Sequence, residues 1–314
     1  MKKILFSCVI LCLIAYSFFF PEVTVNASRK GIEIWFHQIL PALLPFTILS
    51  TILVKSELLK SFKGNANLIS CLIVMSCGFV FGFPIGAKLS ADFYKQKLLT
   101  KKQATLLSIC TNNFSPVYVS GFALPLLFSS KDYTFATYVL LYLIPVIIVT
   151  SYLIFQTTKK LYTVESELHI KSPSQFRLDM PLMDSSIISG FESLIKICGY
   201  IVLFSIVTEI FTSIVTTFII QPPRILTLLL GNLEIANGIQ LLSDVNCKEN
   251  IKYIMAIQLL SFGGFSGIAQ TGSVLSDAGL SMHKYIIGKV ALSLLLTLLS
   301  VIYIFLFVCF DIYN

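Results

Sequence analysis

The chain of 314 residues is 56% hydrophobic and 12% charged, with a mean hydropathy of +0.85. These charges are too few to cover a soluble globule, so the composition excludes a soluble domain and indicates a polytopic helical membrane protein with an all-α fold. The net charge of +7 does not indicate nucleic-acid binding, because the basic residues lie in short loops between apolar runs and act as topology determinants.

The sequence offers no recognisable catalytic or metal-binding constellation. Its eight cysteines contain no CxxC pair, and its three histidines are scattered. There is no Ser/His/Asp arrangement, no pair of acids on one face and no phosphate loop. We therefore predict no enzymatic activity, no metal and no cofactor.

Two apolar runs open the chain. The first, at 4–20, ends at Pro21 and is either a signal peptide or, as we favour, an uncleaved helix. Residues 1–30 are thus predicted to form an N-terminal helix and an external turn. The second run, at 34–54, contains two prolines that should bend it, and the lysines after it place its end in the cytoplasm.

Interrupted apolar sequence follows. The apolar residues 68–83 run into GFPIGAK at 82–88, and a full crossing there would put the next lysines outside the cell. A hairpin that enters and leaves on the cytoplasmic side avoids this conflict. The span at 106–128 is broken by TNNFSP at 111–116, and the span at 133–155 returns to the cytoplasm. Irregular backbone survives in hydrocarbon only against protein or a watery cavity, so each break is a candidate site.

A polar linker at 156–185 separates two similar halves, at 31–155 and 186–314. The second half repeats the order of span, hairpin, broken span and plain span, at 187–220, 225–243, 251–275 and 285–310. Each half has an odd number of crossings, so the second copy should lie upside down, and this arrangement puts most basic residues, including Lys284 and Lys289, in the cytoplasm. Paired broken segments point to a transporter with a midplane site.

Four motifs carry a resemblance to a known family: GFPIGAKLSADFYKQKLLTKKQA, CTNNFSP, GNLEIANGIQLLS and LLSFGGFSGIAQTGSVLSDAGL. In order and spacing they resemble the sporulation integral membrane proteins of the YlbJ type, which carry a nucleoside-recognition or Gate domain, over nearly the whole chain. The resemblance implies movement of dipicolinic acid across the outer forespore membrane during endospore formation. The last motif more distantly resembles the broken helix of concentrative nucleoside transporters, which have two inverted halves with re-entrant hairpins.

The resemblance also implies a set of site residues. It assigns substrate contacts to Gly82, Pro84, Gly86, Lys88, Asn112, Asn113, Glu234, Asn237, Ser261, Gly263, Gly264 and Gln270. Ser115 and Ser266, as donors beside the breaks, and Gly238, at the second tip, complete the predicted substrate-binding set. The first break reads Asn-Asn-Phe-Ser-Pro where the family has a small residue after the asparagines, which leaves its polar contact open by a residue or two.

Charged residues near the breaks admit two interpretations each. Lys88 is either a binding cation that lines an aqueous cavity or a lysine that snorkels to the cytoplasmic surface. Glu234 either binds a coupling proton or cation, or pairs with Lys88 from the opposite hairpin. A serine or asparagine of the breaks could instead hydrogen-bond a neighbouring helix. Asp92 and Asp277 are expected at the membrane interface, and the lysines at 95–102 are expected to touch anionic lipid headgroups.

Glycines in and before the first break are divided between packing and function. Gly78 and Gly82 fit the small-xxx-small pattern of close helix packing. Gly86 follows Pro84 in the break, so we assign it to backbone that faces a ligand.

We predict an integral membrane transporter of a small anionic metabolite, dipicolinate by resemblance. Such a dianion needs a cation and N–H donors, which Lys88 and the helix N-termini after the breaks can supply. Two alternatives stay open: a nucleoside or nucleobase carrier, and a non-transporting membrane scaffold of the sporulating cell. The sequence assigns no oligomeric state.

Overall fold

The computed structural model describes residues 2–56, 66–129, 132–162, 179–218 and 224–313. In these ranges the regular elements are helices, which confirms the predicted all-α polytopic class. Four helical stretches are long and apolar enough to cross a membrane, at Tyr133–Gln156, Met180–Val215, Glu249–Asp277 and Met282–Leu306. A bent pair of helices near the N-terminus makes a fifth if it is counted as one span.

The bent pair consists of α1 (Lys2–Phe19) and α2 (Pro21–Ile34). Their axes differ by 107°, and Pro21 starts the second helix because a proline at the first helical position loses no hydrogen bond. Helix α2 continues through a π-helical turn at Trp35–Ile39 into α3 (Leu40–Lys55). The stretch that the sequence assigns to an external turn is therefore helical.

The rest of the first half has the predicted order. A hairpin is formed by α4 (Ala66–Phe81) and α5 (Ile85–Lys95). The broken span comprises α6 (Lys101–Thr111), α7 (Pro116–Tyr118), a π turn (Val119–Ala123) and α8 (Leu124–Leu127). The plain span comprises α9 (Asp132–Tyr138), a π turn (Val139–Leu143) and α10 (Ile144–Tyr162). The centre of the predicted linker, 163–178, lies outside the described residues.

The second half repeats this order. A long helix, α11 (Met180–Phe218), precedes a hairpin of α12 (Arg224–Gly231) and α13 (Ile235–Ser243). The broken span is α14 (Glu249–Phe262) and α15 (Gly264–Asp277), and the plain span is α16 (Met282–Tyr313).

Each π turn ends two residues before a proline, at Pro41, Pro125 and Pro145. Proline has no N–H, and its ring clashes with the carbonyl four residues earlier. Widening the turn by one residue removes the clash, so these spans continue through their prolines.

The hairpin arms are too short to cross a bilayer. Helices α12 and α13 have 8 and 9 residues, which at 1.5 Å per residue gives about 12 and 14 Å, less than half of a roughly 30 Å hydrocarbon layer. The arms of each hairpin meet at a glycine pair, because a Cβ on Gly78 would lie 3.1 Å from the Cα of Gly86, and a Cβ on Gly238 would lie 2.6 Å from the Cα of Gly231. Re-entrant hairpins in inverted halves remain a prediction, and this geometry agrees with it.

The two halves interlock. Helix α5 of the first hairpin packs on α15, and α13 of the second hairpin packs on α8. Each hairpin thus lies against the far arm of the other half's broken span. Helix α11 packs on α2 and α3, while α16 packs on α6 and α14.

We expect Gly238→Ala to destabilise the protein, because its Cβ would lie 2.6 Å from the Cα of Gly231. Overpacking of this kind costs about 1–3 kcal/mol. Gly199→Ala in α11 is the matched control, since nothing lies within 4 Å of its Cβ. Thermal unfolding in detergent should show a lower Tm for Gly238→Ala only; equal Tm values for the two variants would contradict the tight hairpin.

The inverted arrangement predicts opposite sides for two exposed lysines, Lys248 before α14 and Lys284 in α16. In a background without native cysteines, Lys248→Cys should react with an impermeant thiol reagent in intact cells. Lys284→Cys should react only after permeabilisation. Labelling of both variants in intact cells, or of Lys284→Cys alone, would contradict an inverted arrangement with Lys248 outside and Lys284 in the cytoplasm.

Candidate functional site

In each half the hairpin tip is hydrogen-bonded to the break of the following span. The backbone N–H of Phe83 donates to the carbonyl of Asn113 at 2.6 Å. In the second half, the N–H groups of Phe265 and Ser266 donate to the carbonyls of Asn232 and Leu233 at 2.7 and 3.0 Å. These bonds satisfy backbone groups that a broken helix leaves unpaired, which hydrocarbon does not tolerate.

Glycines make these contacts sterically accessible. Gly82 has a φ of +72°, and a Cβ there would collide with the backbone of Ser115. Gly263 and Gly264 have φ values of +83° and +70°, where glycine is favoured. Three glycines of the predicted site thus shape the backbone at the two breaks.

A polar cavity of about 260 Å³ opens between α3, α5, α11 and α15. Each helix contributes side chains spaced three or four residues apart, which places them on one face. The polar and charged residues that line it are Thr47, Thr51 and Lys55 of α3, Lys88, Asp92 and Lys95 of α5, Ser189, Glu192, Ser193, Lys196 and Tyr200 of α11, and Gln270, Ser273 and Asp277 of α15. Pro84, at the first tip, also lines the cavity.

Lys88 is buried in the wall of this cavity, with 8% of its surface exposed. Its Nζ donates to Thr51 Oγ1 at 3.2 Å and to Ser193 Oγ at 3.4 Å. The ammonium therefore joins the first hairpin to α3 and α11. Its partners are neutral hydroxyls, which leave its charge uncompensated by direct contact.

The charges at the cavity are mixed. Four lysines and three acids line it, and Lys196 and Asp277 form an exposed ion pair at 4.0 Å between α11 and α15. Asp92 lies one turn after Lys88 on α5 and interacts with it electrostatically. The lining thus has a net formal charge of +1, which equals the charge of Lys88, because the other three lysines and the three acids balance.

Gln270 brings the second break to the same cavity. Its side chain is 5% exposed, and its Nε2 donates to Ser266 Oγ at 3.0 Å. Its Oε1 has no partner among the described residues. Buried polar atoms are nearly always paired with protein or water, so this oxygen marks a position for water or a ligand group.

The first break is hydrogen-bonded to Lys289 of α16, in the second half of the chain. Lys289 of α16 was assigned to the cytoplasmic side, but it is 1% exposed and its Nζ donates to the Asn112 carbonyl at 2.8 Å and to Asn113 Oδ1 at 2.7 Å. Asn112 Nδ2 donates to Thr271 Oγ1 at 2.9 Å and to Tyr285 Oη at 3.0 Å. This lysine therefore lies inside the bundle and is not the exposed topology determinant that the sequence suggested.

A proline explains one partner of the break. Asn113 Nδ2 donates to the carbonyls of Cys110 at 3.0 Å and Leu141 at 2.9 Å. The Leu141 carbonyl lies four residues before Pro145, which has no N–H to donate to it. Both amide hydrogens of Asn113 are donated to carbonyls, and its Oδ1 accepts from Lys289. Asn113 therefore makes the contacts between helices that were the alternative to substrate binding.

Glu234 caps its own hairpin arm. Its carboxylate accepts from the N–H groups of Ala236 at 3.0 Å and Asn237 at 2.8 Å. Among the described residues it forms no ion pair with Lys88, so the predicted pairing of the two hairpins is not found. Lys30 of α2 interacts electrostatically with Glu234 and donates to Gln240 Oε1 at 3.2 Å.

Other predicted residues lie in packing or capping positions. Ser115 Oγ accepts from the N–H of Tyr118 and caps α7. Ser261 Oγ lies 2.9 Å from Ser293 Oγ, between α14 and α16. Gly86 is packed against Thr111 rather than facing a ligand, and Gly238 is packed against Gly231. Of the predicted set, Pro84, Lys88 and Gln270 line the cavity, and Ser266 supports Gln270.

Helices α3 and α11 form cavity walls that were not predicted from the sequence. The signal was present, because Thr47, Thr51 and Lys55 recur every four residues in an otherwise apolar helix. A similar stripe runs along α11 from Ser189. Asp92 and Asp277, expected at the interface, lie at the cavity wall.

Spanning helices, two breaks that are each tied to a hairpin tip, and a polar cavity between α3, α5, α11 and α15 define the class: an all-α polytopic membrane protein with an internal polar site. The chain is similar to the sporulation integral membrane protein YlbJ of Bacillus subtilis (strain 168), with 26% identity over an alignment that covers 86% of this chain and 74% of that protein. This relationship confirms the predicted resemblance to the YlbJ type.

No family model and no solved structure matches the chain. The distant similarity to concentrative nucleoside transporters stays a prediction.

Proposed function

We propose that this protein is a transporter that moves a small anionic metabolite, dipicolinic acid, into the forespore during endospore formation. The proposed location is the outer forespore membrane. The observation that carries the proposal is the buried ammonium of Lys88 in the wall of a polar cavity, at a break in an otherwise apolar hairpin. The name of the Bacillus subtilis relative supports the sporulation context.

The energetics of Lys88 favour a functional role. Charged side chains inside membrane proteins are costly and usually mark a pathway for a solute or ion. Lys88 is hydrogen-bonded to Thr51 and Ser193. These hydroxyls can rotate, so an incoming carboxylate can replace them without breaking an ion pair.

The size and polarity of the cavity suit a small anion. Its volume of about 260 Å³ lies just below the roughly 300–1,000 Å³ of typical drug-sized pockets. The N-terminus of α5 begins directly after Pro84, and its partial positive charge adds to that of Lys88. Gln270 lies on the facing helix; with its amide turned over, Oε1 would accept from the Ser266 hydroxyl and the freed N–H groups could donate to a second acceptor of the same ligand.

We expect Lys88→Met to reduce dipicolinate uptake into proteoliposomes about tenfold or more, because a hydrogen bond to a charged group contributes about 1.5–3 kcal/mol. Methionine keeps the apolar stem, so the protein should still fold. Lys102→Met, at an exposed position in α6, is the matched control and should transport normally. Full uptake by folded Lys88→Met would refute the role of this ammonium.

Dipicolinate uptake and the dipicolinate content of spores separate the anion transporter from the two alternative functions. Dipicolinate uptake that excess nucleoside does not inhibit supports the anion transporter, whereas competition by nucleoside supports a nucleoside carrier. For a non-transporting scaffold, spores that carry Lys88→Met should contain normal amounts of dipicolinate.

A further inference from the structure

Two side chains of α16 grip the first break. Tyr285 and Lys289 lie one turn apart, are 2% and 1% exposed, and contact the consecutive residues Asn112 and Asn113. Lys289 Nζ donates to Asn113 Oδ1 at 2.7 Å, and Tyr285 Oη accepts from Asn112 Nδ2 at 3.0 Å. We call Tyr285 and Lys289 the α16 pin.

The two asparagines connect the α16 pin to two walls of the cavity, each by one hydrogen bond. The Asn113 carbonyl accepts from the N–H of Phe83, the residue before Pro84. Asn112 Nδ2 donates to Thr271, the residue after Gln270. A displacement of the two asparagines would therefore move the first tip and the α15 wall together.

A lysine is an expensive way to join two helices. Its partners are a backbone carbonyl and an amide oxygen, neither of which is a carboxylate, so desolvation of the ammonium is offset only by hydrogen bonds. An apolar side chain would pack there at lower cost. The charge is explained if the break must be held in one geometry, since charge-assisted hydrogen bonds are stronger and more directional than neutral ones.

The second break has a different arrangement. In the described part of the chain, its tip and break are joined by the backbone bonds of Phe265 and Ser266, and the tip residue Asn232 exchanges neutral side-chain hydrogen bonds with Gln258 of α14. No lysine among the described residues donates to it. The pin therefore acts on the first break alone.

We propose that the α16 pin is a positioning device that holds the first break and the first hairpin tip in register with the cavity, with Lys289 as its positioning residue. Loss of the pin should loosen the first tip, misplace Lys88 and weaken substrate binding. The part that concerns substrate rests on the proposed function, whereas the part that concerns the backbone does not.

Hydrogen exchange with mass spectrometry, on the full-length protein in nanodiscs, tests the backbone part. Lys289→Met should raise exchange about tenfold or more in peptides that cover 82–88 and 113–119, because buried charge-assisted bonds are lost. The exchange rate in peptides that cover 263–266 should change less than about twofold, because no hydrogen bond of that segment is lost. Lys284→Met, exposed on the same helix, is the control and should leave both regions unchanged.

If Lys289→Met does not fold, Tyr285→Phe provides the test, because Asn112 keeps Thr271 as a partner. It should raise exchange less, at the same two segments. Unchanged exchange there, or an equal rise at both breaks, would overturn the proposal, since a general loss of stability affects both.

Dipicolinate uptake tests the part that concerns substrate. Lys289→Met should raise KM more than it lowers kcat, and Lys289→Arg should restore KM in part. An unchanged KM together with faster exchange at the first tip would overturn the link to substrate. If the wild-type protein does not transport dipicolinate, the proposed function fails, and the exchange result still decides the positioning role.

Discussion

Backbone polar groups without a partner are not tolerated in hydrocarbon, and this constraint organises the structure. Both halves interrupt apolar helices, and each interruption frees N–H and C=O groups. The chain pairs them by placing a hairpin tip against the break of the next span, as with Phe83 on Asn113 and Phe265 on Asn232. The tips cannot be moved away from the breaks without leaving these groups unpaired. The positions of α5 and α15, and hence of the cavity between them, follow from that pairing.

Once the breaks are tied in pairs, the remaining polar side chains have few places to lie. The polar side chains of α3 and α11 form stripes, and these stripes face α5 and α15. The other faces of α3 and α11 are apolar. Lys88 satisfies its donors on these stripes, at Thr51 and Ser193. The result is a small polar cavity in which the Lys88 ammonium is held by hydroxyls. This arrangement is what supports the proposed anionic substrate.

Local chemistry made much of this predictable. The break at 82–84 contains a glycine with positive φ and a proline, and the second break contains Gly263 and Gly264. Such residues disfavour a regular helix whatever their surroundings, so the sequence alone indicates where helices stop. The order of span, hairpin, broken span and plain span followed from these interruptions and from apolar run lengths.

Long-range contacts were not predictable in the same way. Lys289 lies in a strongly apolar helix near an end, where positive charge normally marks the cytoplasmic side. Only the packing of α16 against α6 brings it to Asn113, 176 residues away in the chain. The polar stripe of α3 was readable from its spacing, but nothing local shows that α11 faces it. The partner of Glu234 was likewise not predictable from local sequence. Glu234 lies at the second tip as expected, but its carboxylate caps α13 and does not pair with Lys88.

The central claim is that the polar cavity between α3, α5, α11 and α15 is hydrated and accepts dipicolinate beside Lys88. The rate of aqueous thiol labelling at Gln270→Cys, in a background without native cysteines and with and without dipicolinate, tests it most directly. We expect rapid labelling of Gln270→Cys that dipicolinate slows, while Ser261→Cys, between α14 and α16, stays unreactive. Labelling at Gln270→Cys as slow as at Ser261→Cys, or unaffected by dipicolinate, would contradict it.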